Sequence, residues 1–289
     1  MPSFEYAAPA SVEEAVALLA ADDGARLLAG GTDLIVQMRS GRIAPSRVVD
    51  IKRIAGISGI TRRDGAFVIG AATPCAVLGE DAALRKAWPG VLEGANLIGS
   101  TQVQGRATVA GNLCNASPAA DSVPAMIAAG ARCVIVGPSG RRELAVEDLP
   151  TGPGRNGLAR GEFVLEVILP APQPRSGDAY LRMTPRTEMD IAVVGAGVSL
   201  TLDADGTCTA ARVALGAVAP TALLVAEAGA ALVGSRLDDA ALDRMAEAAR
   251  AACRPVSDKR GTVEYRIALA GVLTRRAAVI AQERARSQA

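Results

Sequence analysis

The chain has 289 residues, 31 Lys and Arg against 30 Asp and Glu, and no histidine. Imidazole-based triads, His-ligated zinc or iron and His-gated pH switches are therefore excluded, and a net charge of +1 argues against a nucleic-acid partner, which normally meets a basic excess. Half of the residues are apolar but only 2% are aromatic, so the core is aliphatic and a flat ligand would be gripped mainly by backbone and aliphatic side chains.

The N-terminal segment reads strand, helix, strand, helix, strand, opening with Phe4-Glu5-Tyr6. Ser11 and Glu14 have the spacing of a capping box, and the helix that follows, Val12 to about Ala21, presents Val12, Ala15, Val16 and Leu19 at helical spacing. Arg26 to Ala29 is a short apolar strand running into Gly30-Gly31, and Thr32 is the expected N-cap of a second helix, Asp33 to Ser40, stopped by Gly41. Val48 to Ile51 is the third strand. Short strands follow at Ile57 to Thr61 and Phe67 to Gly70, with Arg63-Asp64-Gly65 between them, and then a helix over Leu84 to Leu97 broken near Pro89. A helix over Ser122 to Ala129, capped by Ser117 or Asp121, leads to a strand over Ala131 to Val136 that turns at Pro138-Ser139-Gly140. Pro150 to Gly157 and Pro170 to Gly177 are dense in Pro and Gly and read as loops.

The second of these loops is the expected domain boundary, giving an N-terminal domain of residues 1–176, with subdomains of about 1–55 and 56–176, and a C-terminal domain of 177–289. Beyond it come a long hairpin, Ile191 to Asp203 and Thr207 to Val218 joined at Asp205-Gly206, and two helices. The first helix is Asp238 to Cys253. The last starts at Thr262 and carries Val263, Ile267, Ala270, Leu273, Ala277 and Ile280 on one stripe. The order indicates an α+β fold, a ligand module followed by a sheet-and-helix lid. No apolar run reaches the roughly 18 residues of a membrane span, and the N-terminus lacks the basic and apolar regions of a signal peptide, so a cytoplasmic protein is expected. The five cysteines include no C-x-x-C pair, so metal or cluster binding by this chain is not expected.

Three segments could carry chemistry. Leu27-Leu28-Ala29-Gly30-Gly31-Thr32-Asp33-Leu34 passes from a strand through two glycines into a helix, which lets backbone approach an anion and aims free N–H groups at it. A tight turn with a Thr cap would need the same residues, and neither the dinucleotide fingerprint nor the P-loop spacing is present. Ala107 to Asp121, with Thr108-Val109-Ala110-Gly111-Asn112 at its start and Cys114, Ser117 and Asp121 behind, concentrates small residues, amides and hydroxyls that could line a large ligand or merely form a loop. Arg182 to Ile191 brings Arg182, Arg186, Glu188 and Asp190 to a strand entry, either as a solvated loop or as a cation and a carboxylate for a cofactor. Cys114, Cys133 and Trp88 read most plainly as packing residues.

Together, Ala29-Gly30-Gly31-Thr32-Asp33-Leu34, Thr108 to Asn112, Ser117-Pro118 and Asp121, Glu188 to Ala192, and the segment from Arg260-Gly261 to Tyr265-Arg266 make the whole chain resemble the FAD-binding medium subunits of molybdenum hydroxylases, the family of xanthine dehydrogenase and aerobic carbon monoxide dehydrogenase. The resemblance implies a PCMH-type FAD-binding module of two subdomains followed by a C-terminal domain like that of carbon monoxide dehydrogenase flavoproteins. It also implies an oxidoreductase that carries non-covalent FAD and passes electrons to an external acceptor. A large molybdenum-cofactor subunit would oxidise the substrate and a small subunit with 2Fe-2S clusters would deliver the electrons, the whole forming a dimer of heterotrimers. A stand-alone flavin oxidoreductase with its own small substrate is the alternative, and a non-catalytic anion-binding module is a third reading.

By position, the resemblance implies phosphate contacts from Ala29 to Leu34, and pyrophosphate and ribityl contacts from Thr108, Val109, Ala110, Gly111 and Asn112. It places Cys114, Ser117 and Asp121 near the cofactor, and Arg182 and Asp190 near the flavin ring. Three positions depart from the commoner pattern: Ala110 replaces a glycine, Thr32 stands where some relatives carry His, and Arg182 stands where some carry Lys. The cysteine-bearing insertion of some relatives is missing.

Overall fold

A computed structural model describes residues 3–288. In the first lobe, β1 (Glu5–Ala7), β2 (Arg26–Leu28) and β3 (Arg47–Asp50) form a parallel sheet in the order β1-β3-β2. Parallel neighbours need crossovers, and α1 (Val12–Ala21) and α2 (Leu34–Arg39) supply them. Ser11 caps α1 by accepting from the Glu14 N–H at 3.1 Å, and the Glu14 carboxylate reaches back to the N–H of Ala10 at 3.0 Å. Thr32 does not cap α2. The cap position falls on Asp33, whose backbone is already helical and whose side chain makes no capping bond.

The second lobe is built on a five-stranded antiparallel sheet of β4 (Ile60–Arg63), β5 (Ala66–Gly70), β6 (Arg132–Gly137), β7 (Gly140–Ala145) and β10 (Phe163–Leu169), in the order β4-β5-β10-β6-β7. Its helices are α3 (Cys75–Glu80), α4 (Ala82–Ala87), α5 (Pro89–Ala95), α6 (Thr101–Gln104), α7 (Val109–Cys114) and α8 (Ser122–Ala128), and a small hairpin, β8 (Pro150–Gly152) with β9 (Arg155–Asn156), precedes β10. The expected Leu84 to Leu97 helix is two helices meeting at Trp88, because Pro89 starts α5 at a position where its missing N–H costs nothing. The Trp88 indole packs in the core and donates to Pro170 O at 3.1 Å. β10 was not among the expected elements. It runs through the middle of the sheet between β5 and β6 and buries Phe163, Val164, Val167 and Leu169.

The third unit is a four-stranded antiparallel sheet of β11 (Ser176–Met183), β12 (Val194–Leu202), β13 (Cys208–Gly216) and β14 (Leu223–Leu224), covered by α9 (Ala226–Ala230), α10 (Asp239–Ala252) and α11 (Val263–Ser287). The expected hairpin is β12 with β13. β11 occupies what the sequence offered as loop and charged run, because it pairs continuously with β12 from Ser176 opposite Thr201 to Met183 opposite Val194. Asp238 and Thr262 cap α10 and α11 by accepting from Ala241 and Tyr265 N–H groups. The buried stripe of α11 keeps the expected Ala270, Leu273 and Ala277 and adds Ala278, Ala281 and Ala285, while Val263, Ile267 and Ile280 are half-buried. Small side chains let the helix axis lie close to the strands.

One aliphatic core fills the first two lobes and a second fills the C-terminal unit. They meet where α5 and α8 pack against β11, β12 and β13. Among the described residues no helix is long and apolar enough to cross a membrane.

Candidate functional site

A cavity of about 530 Å³ opens between the first and second lobes. From the first lobe its wall takes Ala29, Gly30, Gly31, Thr32, Asp33 and Leu34, and from the second Ala107, Thr108, Ala110, Gly111, Asn112 and Cys114. The two glycine-containing segments are thus brought face to face, as strand ends and helix starts at the C-terminal edge of β2 and the N-terminus of α7.

Local chemistry explains why this wall is made of backbone. Gly31 has φ +81°, a conformation that side chains rarely adopt. At Gly30 an added Cβ would run into the carbonyl of Arg106, so the two lobes touch main chain to main chain there. Thr108 caps α7, its hydroxyl accepting from the Gly111 N–H at 2.9 Å, so the expected strip of loop is a helix start. Among the described residues the N–H groups of Gly30 to Leu34, and those of Val109 and Ala110, find no acceptor within the protein. Six of these seven residues, all but Val109, line the cavity, and their unpaired N–H groups are donors that an anionic ligand satisfies. The Lys52 ammonium adds positive charge beside them, donating to Ala29 O at 3.1 Å while paired with Asp50 at 2.7 Å. Amides complete the polar lining: Gln37 donates to Asn115 at 3.2 Å, and Asn156 donates to Cys114 O at 2.7 Å. Burial pushes the Cys114 thiol up to about 12, so it is a neutral group at ordinary pH.

The remaining candidates lie elsewhere. Val109 turns its side chain into the core, and the Ser117 hydroxyl accepts from the Ala119 N–H at 3.3 Å. Asp121 and Arg182 are not on the cavity wall but on each other: Arg182 Nη1 lies 2.6 Å from Asp121 Oδ2, the Tyr180 hydroxyl donates to Oδ1 at 3.1 Å, and Arg182 also donates to Leu97 O at 3.0 Å. Burial raises the Asp121 carboxyl to about 6 against the opposing pull of Arg182 and Tyr180. The cluster abuts the cavity through Ser122, whose hydroxyl donates to Asn112 Oδ1 at 2.7 Å. Asp190 is likewise not on the wall, accepting from the N–H groups of Ile191 and Arg186 and facing Arg260 at 3.6 Å. The first of these bonds holds its carboxyl below the usual range.

Sequence reasoning missed the wall formed by Leu158 to Val164, together with Asp22 and Asp23 after α1 and Arg26 at the start of β2. Leu158 to Val164 carries no local signal. It arrives because β10 inserts into the middle of the second sheet and draws the preceding residues against the first lobe.

Comparison with known proteins gives this geometry a family. Residues 2–172 match the model of the FAD binding domain in molybdopterin dehydrogenase, and residues 179–280 match the CO dehydrogenase flavoprotein C-terminal domain. The chain is 37% identical to the carbon monoxide dehydrogenase medium chain of Afipia carboxidovorans, with 99% of each chain covered. It is 31% identical to the xanthine dehydrogenase FAD-binding subunit of Escherichia coli, with 94% of this chain and 93% of that one covered. Among solved structures, it superposes on a chain of the Cu,Mo-CO dehydrogenase with a TM-score of 0.94 at 36% identity over 98% of this chain and 99% of that one. Quinoline 2-oxidoreductase of Pseudomonas putida 86 gives 0.90 at 30% identity over 98% of both chains. Both halves of the chain, the backbone-walled cavity and the full-length relatives agree: the chain belongs to the FAD-binding medium subunits of the molybdenum hydroxylases, a family of oxidoreductases, with FAD as its cofactor.

Proposed function

We propose that this chain is the electron-transfer subunit of a molybdenum hydroxylase complex, taking electrons from iron–sulfur clusters in a small partner and delivering them to an external acceptor, while a large partner oxidises the substrate at a molybdenum cofactor. The observation that carries the reading is the cleft walled by unpaired N–H groups in a chain whose relatives are medium chains and FAD subunits of dehydrogenases. The same reading makes residues 1–176 the FAD module and 177–289 its C-terminal companion, in a cytoplasmic dimer of heterotrimers.

The residues present suit a dinucleotide. The free main-chain N–H groups of Gly30 to Leu34 and of Val109 and Ala110 would hold the pyrophosphate, and they need no rearrangement to receive it. Asn112, Asn115 and Gln37 offer amides to the ribityl hydroxyls, and the neutral Cys114 thiol excludes water without adding charge. Asp121 and Arg182 neutralise each other and fix the segment between α7 and α8 through Ser122 and Asn112. When bound, FAD supplies two-electron and one-electron redox chemistry that no side chain can offer. The protein's share is to bind it, orient it and keep it dry.

Reconstitution tests the cofactor, and purification tests the role. The chain should retain flavin absorbance after desalting and co-purify with two subunits of different size. A chain that retains no flavin refutes the reading. Reduction by a small organic substrate with no partner present would favour a stand-alone flavin oxidoreductase instead.

A further inference from the structure

The cleft is fastened at more than one place, and the fastenings differ in kind. At its floor, Gly30 and Arg106 meet main chain to main chain. At one end, Gln37 and Asn115 join the lobes by an amide hydrogen bond of 3.2 Å. At the other end, the turn Ala159 to Glu162 crosses from the second lobe to the end of α1 in the first. Arg160 Nε there lies 2.7 Å from Ala20 O and 2.9 Å from Asp23 Oδ1.

The turn is stiff on its own side. Glu162 Oε2 accepts from the Ala159 N–H at 2.8 Å, Arg142 grips the Glu162 carboxylate with two bonds of 2.8 and 2.7 Å, and Arg142 also donates to Gly157 O at 3.2 Å. Gly161, at φ +78°, slips between α1 and the β6–β7 turn, and a Cβ there would lie 2.9 Å from both Ala20 Cβ and Pro138 Cγ. The polar link to the first lobe, by contrast, is light. The Arg160 and Asp23 side chains are 55% and 78% exposed, and an ion pair in that setting opens readily and is screened by salt. All of these residues except Ala20, Pro138, Arg142 and Gly157 line the cavity. A rigid tab with a detachable catch over a ligand cleft is the arrangement of a clasp.

We propose that the Ala159–Glu162 turn is such a clasp and that Arg160 is the positioning residue that holds it shut against Ala20 and Asp23, so that opening of this contact limits both entry and exit of FAD. The proposal rests on the cavity being the FAD site. Because the cofactor passes the same gate in both directions, weakening the catch speeds uptake and release together and leaves the equilibrium nearly unchanged.

The test uses the full chain loaded with FAD, with release and uptake followed by flavin fluorescence in rapid mixing. Arg160→Ala, which removes both bonds, should raise both rates by about three- to tenfold, and Asp23→Ala, which leaves the bond to Ala20 O, by about two- to fivefold; the double variant should exceed Arg160→Ala by no more than about twofold, since the Arg160 change already undoes the ion pair. The equilibrium constant should move by less than about twofold, and release from the wild-type chain, but not from the variants, should quicken between low salt and about 1 M salt. Arg160→Lys should restore part of the salt dependence. Release from Arg160→Ala at the wild-type rate overturns the clasp. So does faster release with unchanged uptake, which marks a direct contact with bound FAD. Failure of the cofactor reading is distinguishable, because a wild-type chain that retains no FAD removes the clasp's ligand before any variant is made.

Discussion

The cleft and the junction with the C-terminal unit solve opposite problems. The cleft is built from backbone, with glycines where a side chain would run into Arg106 or Leu28 and N–H groups left without partners. The junction is built from charge, the buried Asp121 with Arg182 and Tyr180 and, a few residues away, the buried Asp178 beside the half-buried pair of Glu93 and Arg284, where Arg284 Nη1 donates to Asp178 O at 2.7 Å. A ligand site left open by the protein is completed by the ligand, whereas a domain contact must be completed by the protein itself. Substitutions should therefore separate, with the cleft losing cofactor before stability and the junction losing stability before cofactor.

The largest expected effect is at Gly31. Gly31→Val forces a β-branched residue to φ +81° with Leu28 Cδ1 only 2.8 Å from the new Cβ. Flavin absorbance after desalting should fall to baseline while the unfolding free energy drops by only about 1–2 kcal/mol. At the junction, Arg182→Ala leaves the Asp121 carboxylate buried without its cation and should cost about 3–5 kcal/mol in urea unfolding. If that variant unfolds like wild type but releases its flavin, the separation between the two regions is lost.

Asp178 sharpens the comparison through pH. Its carboxylate is buried, Oδ2 accepts from the Val91 N–H at 3.2 Å, and Oδ1 has no partner. Burial raises it to about 7, against an ordinary value of 3.8. The folded chain thus holds that proton more tightly than the unfolded chain. Stability falls as pH rises through the window from about 4 to about 7. Asp178→Asn, which keeps an acceptor for Val91, should stabilise the protein by about 1–2 kcal/mol at pH 8 and give much less at pH 5, measured as thermal midpoints. The smallest effect falls at a cleft residue that also serves stability: Thr108→Ala removes the cap of α7 and should cost about 1 kcal/mol, with a modest loss of FAD affinity.

What was legible in the sequence follows the same division. Gly30-Gly31 and Thr108 to Asn112 announce themselves locally, because a strand end, a positive φ and a helix cap each have a residue code that reads over a few positions. The partners of buried charge have none. Nothing near Arg182 says that its carboxylate stands 61 positions away at Asp121, or that the charged run before Asp190 includes the end of a buried strand. The wall at Leu158 to Val164 was illegible for a third reason, since it depends on where β10 inserts and not on its own composition. Thr32 shows the limit of local code: it has a capping side chain, but the helix begins one residue too late to use it.

The lone tryptophan has a further use. Trp88 packs in the core at the meeting of α4 and α5, and its indole is tied to Pro170 at the head of the segment that leads into the C-terminal unit. Its emission therefore reports on one place, the seam between the cofactor module and its companion, with no second indole to average against. A change in that signal on FAD binding would say directly that loading the cleft is felt at the junction, and quenching by energy transfer to the flavin would give the distance between them without any label.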